Sequence, residues 1–148
     1  MISLDEIKRA WSSDSEDCAF DSVIKFYPNS SVFANSSSEE SVVFMSGPRE
    51  SFSGIAHFWR EACILANEGH LTFEELEKFS CVSDCKKLSP RNFISSIQQY
   101  GEKGFARLEL PDPDQIESCY QMKADWNLQV FIAQCKAKYY YYSWETTA

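Results

Sequence analysis

The chain has 148 residues and a mass of 17.0 kDa, a size that fits a single globular domain, residues 1–148, with a sizeable buried core. Its 44% hydrophobic content, with only five Gly and five Pro, excludes a largely disordered chain. Its 14 basic and 22 acidic residues give a net charge of −8, which repels phosphate backbones and argues against direct nucleic-acid binding.

Two features of the sequence bear on where the protein is found. No apolar run reaches the roughly 18 residues that span a bilayer, so we predict no membrane segment. The start "MISLDEIKRAW" carries acidic residues and lacks the apolar run of a signal peptide, so we expect a cytoplasmic protein. In that compartment six cysteines are expected to be reduced and buried rather than paired in disulfides. They are Cys18, Cys63, Cys81, Cys85, Cys119 and Cys135.

The first third of the chain carries signals for one helix and two strands. Ser3 and Glu6 have the spacing of a capping box, which predicts a short helix ending near Trp11. The segments "AFDSVIKFY" and "SVVFM" are rich in β-branched and aromatic residues, which is typical of strands. The polar segment "PNSSVFANSSSEE" is expected to connect them.

Three more helices are predicted in the middle of the chain. In "SGIAHFWREACILANEG" the apolar residues recur with the helical period. Thr72 and Glu75 repeat the capping-box spacing and predict a short third helix. Ser89 as the cap and Pro90 at the first helical position predict a fourth helix, which ends before Gly101.

From Phe105 onward the apolar pattern changes to a period of two, which is typical of strands. The segments "GFARLEL" and "SCYQMKADWNLQVFIAQ" alternate, and "KYYYYSWETT" follows. Since no crossover helix separates them, we expect three or four antiparallel strands here. The whole pattern predicts an α+β domain: an antiparallel sheet of about four to six strands, with about four helices packed mainly on one face.

Candidate catalytic and metal-binding residues are few. His57 and Glu61 lie four residues apart on a predicted helix, so they could bind a metal or act as a base and its partner. An ordinary pair on the helix surface is the simpler interpretation, because no HExxH-type pattern accompanies it. A further set has the right residue types for zinc but no compact zinc-motif spacing: Cys63, His70, Cys81 and Cys85. We therefore predict no catalytic residue, no metal and no cofactor.

Acidic residues cluster in three segments, "DSEDCAFD", "SSSEE" and "ELPDPDQIE". Solvated surface charge is the simplest interpretation of such runs. The third segment differs because its two prolines stiffen the loop and reduce the entropy lost on binding. Its carboxylates are therefore candidates for recognition of a basic target, above all Asp112, Asp114 and Glu117.

The four consecutive tyrosines near the C-terminus lie in a predicted strand over residues 138–144. Successive side chains alternate between the two faces of a strand, which separates Tyr139, Tyr141 and Ser143 from Tyr140, Tyr142 and Trp144. One set can enter the core, and the other can lie under a helix, on open sheet or beneath a partner. Tyr and Trp dominate binding hot spots, so we favour recognition, with pure packing as the alternative.

The segment "FSGIAHFWREA" resembles the Phe-Trp helix of NTF2-like and ketosteroid-isomerase-like proteins, which form a cone-shaped pocket. The likeness covers about a dozen residues. It implies a cavity between helix and sheet that His57, Trp59 and Glu61 would face. The sequence departs from that family after this helix, because residues 72–100 carry two more helix starts where the family has long strands.

The small acidic domain with its aromatic final segment "YYYYSWETT" is similar in size, charge and organisation to cytoplasmic immunity proteins of interbacterial toxin systems, including contact-dependent growth inhibition. No residue motif carries this resemblance. It implies a binding module that occludes a toxin, often a basic nuclease.

Three hypotheses follow. The first is a non-catalytic inhibitor that binds a basic protein, most simply a toxin, as a monomer or weak dimer. The second is an NTF2-like small-ligand-binding domain or enzyme around His57 and Glu61. The third is a scaffold subunit whose aromatic strand forms a sheet edge and pairs with another copy. For the first, the predicted partner-binding residues are Asp112, Asp114, Glu117, Tyr140, Tyr142 and Trp144.

Overall fold

The computed structural model describes residues 5–6, 9–10, 20–26, 40–66, 85–99 and 108–146. Within these ranges six strands and two helices have defined bounds. They are β1 (Ser22–Phe26), β2 (Glu40–Pro48), α1 (Ile55–Ala66), β3 (Lys86–Leu88), α2 (Pro90–Gln99), β4 (Ile116–Asp125), β5 (Leu128–Cys135) and β6 (Lys138–Thr146). Two short 3-10 turns, Arg49–Ser51 and Pro113–Gln115, precede α1 and β4.

The six strands form one antiparallel sheet in the order β1-β2-β6-β5-β4-β3. The prediction of an α+β domain with an antiparallel sheet is therefore confirmed. The aromatic strand β6 lies between β2 and β5 and is not an edge. The scaffold hypothesis, which needed β6 at an edge to pair with another copy, is therefore wrong on this point.

Both faces of the sheet are covered by a helix. Phe58 and Trp59 of α1 pack in one core cluster with Tyr139 and Tyr141, on what we call the α1 face. Phe93 and Ile97 of α2 pack in a second cluster with the other side of the sheet, the α2 face, which includes Phe44, Phe131 and Tyr142. The expected alternation of β6 side chains is thus confirmed. The two helices with defined bounds lie on opposite faces, so they do not support helices mainly on one face. The reason is that β6 carries large apolar rings on both sides, so each side needs a cover.

The start of α2 follows its predicted capping signal. The Asn92 amide donates to the Ser89 side-chain oxygen at 3.2 Å, and the Phe93 amide donates to the Ser89 carbonyl at 2.9 Å. These bonds satisfy amides that lack a partner inside the helix, and Pro90 has no amide to satisfy.

The remaining predicted elements have mixed outcomes. Four residues of the predicted first helix are helical: Asp5, Glu6, Arg9 and Ala10. The predicted third helix after Thr72 lies outside the described residues, so about four helices are not supported by the two with defined bounds. Residues 108–110 were expected in a strand but form an irregular segment. The short strand β3 was not predicted.

The four cysteines in the described ranges are free thiols, and three of them are buried: Cys63, Cys119 and Cys135. Burial raises the pKa of Cys119 to about 11 and that of Cys135 to about 12, so neither is a thiolate at neutral pH. The predicted burial is confirmed for these three, while Cys18 and Cys81 lie outside the described residues. Across the same ranges, no helix combines the length and apolar character that crossing a bilayer requires.

Candidate functional site

A concave site of about 540 Å³ lies on the α2 face, where β1, β2 and β6 meet the loop before β4. We call it the acidic groove. The strands supply its floor and the loop of residues 108–115 supplies one wall, in which Pro111 is buried. The polar residues that line the acidic groove are Asp21, Ser22, Ser46, Glu109, Asp112, Gln115, Lys138 and Tyr140.

Negative side chains outnumber positive ones in the acidic groove. Lys138 Nζ lies 3.0 Å from Asp21 Oδ2, and this hydrogen bond raises the pKa of Lys138 above its usual value. Glu109 and Asp112 are exposed and form no ion pair with the described part of the chain. Among the described residues that line the acidic groove, three carboxylates and one ammonium group leave two excess negative charges.

Tyr140 forms the aromatic part of the floor. It is half-buried, and its ring centroid lies 6.0 Å from that of Phe44. Burial raises the pKa of the phenol, so its hydroxyl is protonated and can donate a hydrogen bond at neutral pH. An aromatic ring beside carboxylates that no described residue pairs with suits recognition of a cation.

The structure brings two of the six predicted partner-binding residues, Asp112 and Tyr140, into the acidic groove. Asp114 is exposed in the same loop but does not line the acidic groove. Trp144 is half-buried farther along β6 and packs against the core on the α2 face. Tyr142 is only 1% exposed, so it cannot be an exposed anchor as predicted. It packs in the core cluster of the α2 face, where its ring centroid lies 6.4 Å from that of Phe131.

The carboxylate of Glu117 lies outside the acidic groove and has partners of its own. It accepts hydrogen bonds from Gln134 Nε2 at 3.0 Å and from Arg49 Nη1 at 3.1 Å. These hydrogen bonds, with that from Gln134 the largest cause, lower the pKa of Glu117. Arg49 also lies over the ring of Tyr139, on the α1 face, so Glu117 belongs to a different surface from Tyr140. The predicted acidic and aromatic residues therefore do not form one continuous patch.

The two serines of the floor and Lys138 were not predicted as site residues. Ser46 lies opposite Tyr140 in the β2–β6 register and opposite Ser22 in the β1–β2 register. The sequence signal for this row was present only as polar positions inside apolar strands. It could be interpreted only once the strand order was known.

A second group of polar residues is buried on α1, where the sequence suggested an ordinary surface pair. His57 and Glu61 are each 7% exposed, and Arg60 is 8% exposed. Arg60 Nη1 lies 3.0 Å from Glu61 Oε1, whereas His57 Nε2 lies 3.8 Å from the same oxygen. The expectation of a surface pair is therefore wrong, because the first nine residues of α1 are buried all round.

The orientation of His57 is fixed by a backbone hydrogen bond. The Ser53 amide donates to His57 Nδ1 at 3.1 Å, so a neutral His57 carries its proton on Nε2, facing Glu61. A separation of 3.8 Å is too long for a hydrogen bond between them. Glu61 is instead held by Arg60, which fits a structural charge pair better than an aligned base and its partner.

A cavity of about 370 Å³ adjoins His57 at the start of α1. Glu6, Arg9, Ser53 and Gly54 also line it. Of the three residues expected to face a cavity in an NTF2-like arrangement, His57 lines this one, while Trp59 and Glu61 do not. Trp59 lies in the core beneath α1 and is 2% exposed.

Over the described parts of the chain, no three His, Cys, Asp or Glu side chains gather in an arrangement suited to a metal ion. Of the four zinc-type residues considered above, His70 and Cys81 lie outside the described residues. Comparison with known proteins adds no assignment: no family model matches the chain, and neither a curated protein nor a solved structure shows significant similarity to it.

Proposed function

We propose that this chain is a non-catalytic immunity or inhibitor protein that binds a basic protein partner, most simply a cognate toxin such as a nuclease, and occludes its active surface. The acidic groove is the observation that carries the proposal. It combines rim carboxylates that have no ion pair within the described part of the chain with a half-buried aromatic ring at the floor. Such a surface is complementary to one that normally receives an anionic substrate.

The charge of the whole chain acts in the same direction. A net charge of −8 raises the rate at which a basic protein encounters this one, and added salt weakens that attraction. Charged residues at the rim of an interface act mainly on the association rate and its salt dependence, while a central aromatic anchor acts on dissociation. The acidic groove offers both kinds of residue in one place.

The first experiment is a pull-down from a lysate of the source organism, washed at low and then at high salt. We expect one stoichiometric basic protein that is retained at low salt and weakened at high salt. The activity of that protein is then assayed with and without this chain, because an inhibitor must lower it. A bound protein whose activity does not change would contradict the proposal.

Removing the rim charges should weaken the complex. For the double variant Glu109→Gln/Asp112→Asn we expect about a tenfold loss of affinity, mainly through slower association, equivalent to about 1.4 kcal/mol. Surface plasmon resonance at two salt concentrations separates the association rate from the dissociation rate.

A matched control removes the same charge from the other end of the sheet. Asp125→Asn/Glu145→Gln alters two exposed residues, and Glu145 lies about 17 Å along β6 from Tyr140. We expect this control to keep most of the affinity of the unmodified chain. Equal losses for the two double variants would show that only net charge matters, and would contradict binding through the acidic groove.

A small-ligand-binding domain or enzyme at His57 is a second candidate, favoured by the burial of this residue beside the 370 Å³ cavity. A thermal-shift screen of small molecules tests it. A ligand at about 100 times its Kd adds about 2.7 kcal/mol to stability and raises the Tm by several degrees. His57→Gln should abolish that rise, while Glu109→Gln/Asp112→Asn should keep it. A rise that survives His57→Gln would place the ligand elsewhere.

A further inference from the structure

Three hydroxyl groups lie in a row across the floor of the acidic groove. Ser22, Ser46 and Tyr140 are directly opposite one another in the paired registers of β1, β2 and β6, so their side chains share the α2 face. Ser46 is only 4% exposed. Its hydroxyl makes no hydrogen bond to any described part of the chain, and the same holds for the hydroxyl of Tyr140. The oxygens of this row open onto the acidic groove, so they are available to accept hydrogen bonds from a polar group bound there.

The charge of the acidic groove determines the sign of that group. Asp21 is compensated by Lys138 at 3.0 Å, whereas Glu109 and Asp112 at the rim have no ion pair among the described residues. A neutral or anionic ligand would leave these charges without compensation, whereas a cation would pair with them.

The geometry favours a guanidinium group over an ammonium group. Guanidinium is planar and carries five N–H donors, so it can donate to the rim carboxylates and to hydroxyl oxygens of the floor at the same time. Its flat face can also stack on the ring of Tyr140. Ile24 and Phe44 supply apolar surface for the methylene groups that precede it. An ammonium group has three donors and no plane to stack.

We infer that the acidic groove binds the guanidinium group of one arginine side chain presented by the partner protein. The inference rests on the proposed function, since it names the group by which that partner is held. About 540 Å³ accommodates an arginine side chain together with neighbouring backbone atoms.

The test uses the full chain labelled with ¹⁵N and a set of short glycine-serine peptides, observed by NMR titration. One peptide carries a single arginine, one carries lysine, and one carries citrulline, which keeps the shape of arginine without its charge. We expect the arginine peptide to shift the amide signals of Ser46, Asp112 and Tyr140 and to bind about tenfold more tightly than the lysine peptide. The citrulline peptide should leave these signals in place.

Two variants locate the binding. Glu109→Gln/Asp112→Asn should abolish the shifts, and Ser46→Ala should reduce the preference for arginine over lysine while the chain stays folded. Equal binding of arginine and lysine, binding of citrulline, or absence of shifts at these residues would overturn the inference. Tighter binding of free spermidine than of the arginine peptide would also overturn it, because the ligand would then be a polyamine rather than a partner side chain.

The outcome is separable from the proposed function, since the titration needs no partner protein. Arginine-specific binding without any basic partner in the pull-down would support the inference and count against inhibition. If a partner protein needs Glu109 and Asp112 for binding but the acidic groove does not prefer the arginine peptide, the result would support the proposed function and overturn the inference.

Discussion

Replacing Phe58 with alanine is expected to lower the free energy of unfolding by about 3–5 kcal/mol. The side chain is fully buried between α1 and the sheet. Its ring stacks on Tyr139 at a centroid distance of 5.2 Å and meets Phe52 edge to face at 5.1 Å. The variant loses both the apolar burial and the ring contacts, and the rigid surroundings cannot close the cavity. Urea unfolding followed by circular dichroism measures the loss.

Trp126→Ala is the matched control, because it removes an even larger ring from a position that is 71% exposed in the turn between β4 and β5. We expect a change within about 0.5 kcal/mol. A Phe58→Ala variant as stable as Trp126→Ala would mean that α1 does not contribute to the core as described.

The second large effect concerns the charge pair buried in α1. Glu61→Leu should lower the free energy of unfolding by about 3–5 kcal/mol, because it leaves the guanidinium of Arg60 buried without its counter-charge. The side chains of the two residues are only 9% and 8% exposed, and their charged atoms are 3.0 Å apart. The Nε of Arg60 makes no hydrogen bond within the described ranges, so Glu61 is an important part of its compensation.

A double-mutant cycle separates the interaction between Arg60 and Glu61 from the contribution that each residue makes alone. Arg60→Met/Glu61→Leu removes both charges and keeps similar volumes, so we expect it to be more stable than Glu61→Leu alone. If the double variant lost as much free energy of unfolding as the two single variants together, the two side chains would not be stabilising each other. This result would indicate that each side chain contributes independently, for example through its contact with other groups.

The strands and helices that could be predicted are those with strong local signals. The hydroxyl of Ser89 and the ring of Pro90 define the start of α2 within a few residues of chain, and no tertiary information was needed. The run of tyrosines indicated a strand in the same way. By contrast, β3 has only three residues, two of them exposed lysines, and it exists because Leu88 and its neighbours pair with β4.

The arrangement of the helices and of the acidic groove depends on pairings that local signals do not encode. Tyr139 and Tyr140 are adjacent in sequence, yet one lies under α1 and the other forms the floor of the acidic groove. A strand with large rings at consecutive positions has no polar face, and this was the available sign that both sides are covered. Ser46 joins Tyr140 only through the register of β2 with β6, which no stretch of sequence shows.

The position of β6 between β2 and β5 also affects how the domain is made. Its pairing with β2 joins positions 90 to 106 residues apart in the chain, and β6 follows the other described strands. During synthesis, β1 and β2 leave the ribosome as a hairpin with apolar residues on both sides and no central strand to join. They cannot pair with the other strands until β6 has emerged, so completion of this sheet is a late event in biogenesis. Nascent chains that stop before β6 are therefore the form most exposed to aggregation and to the need for chaperones.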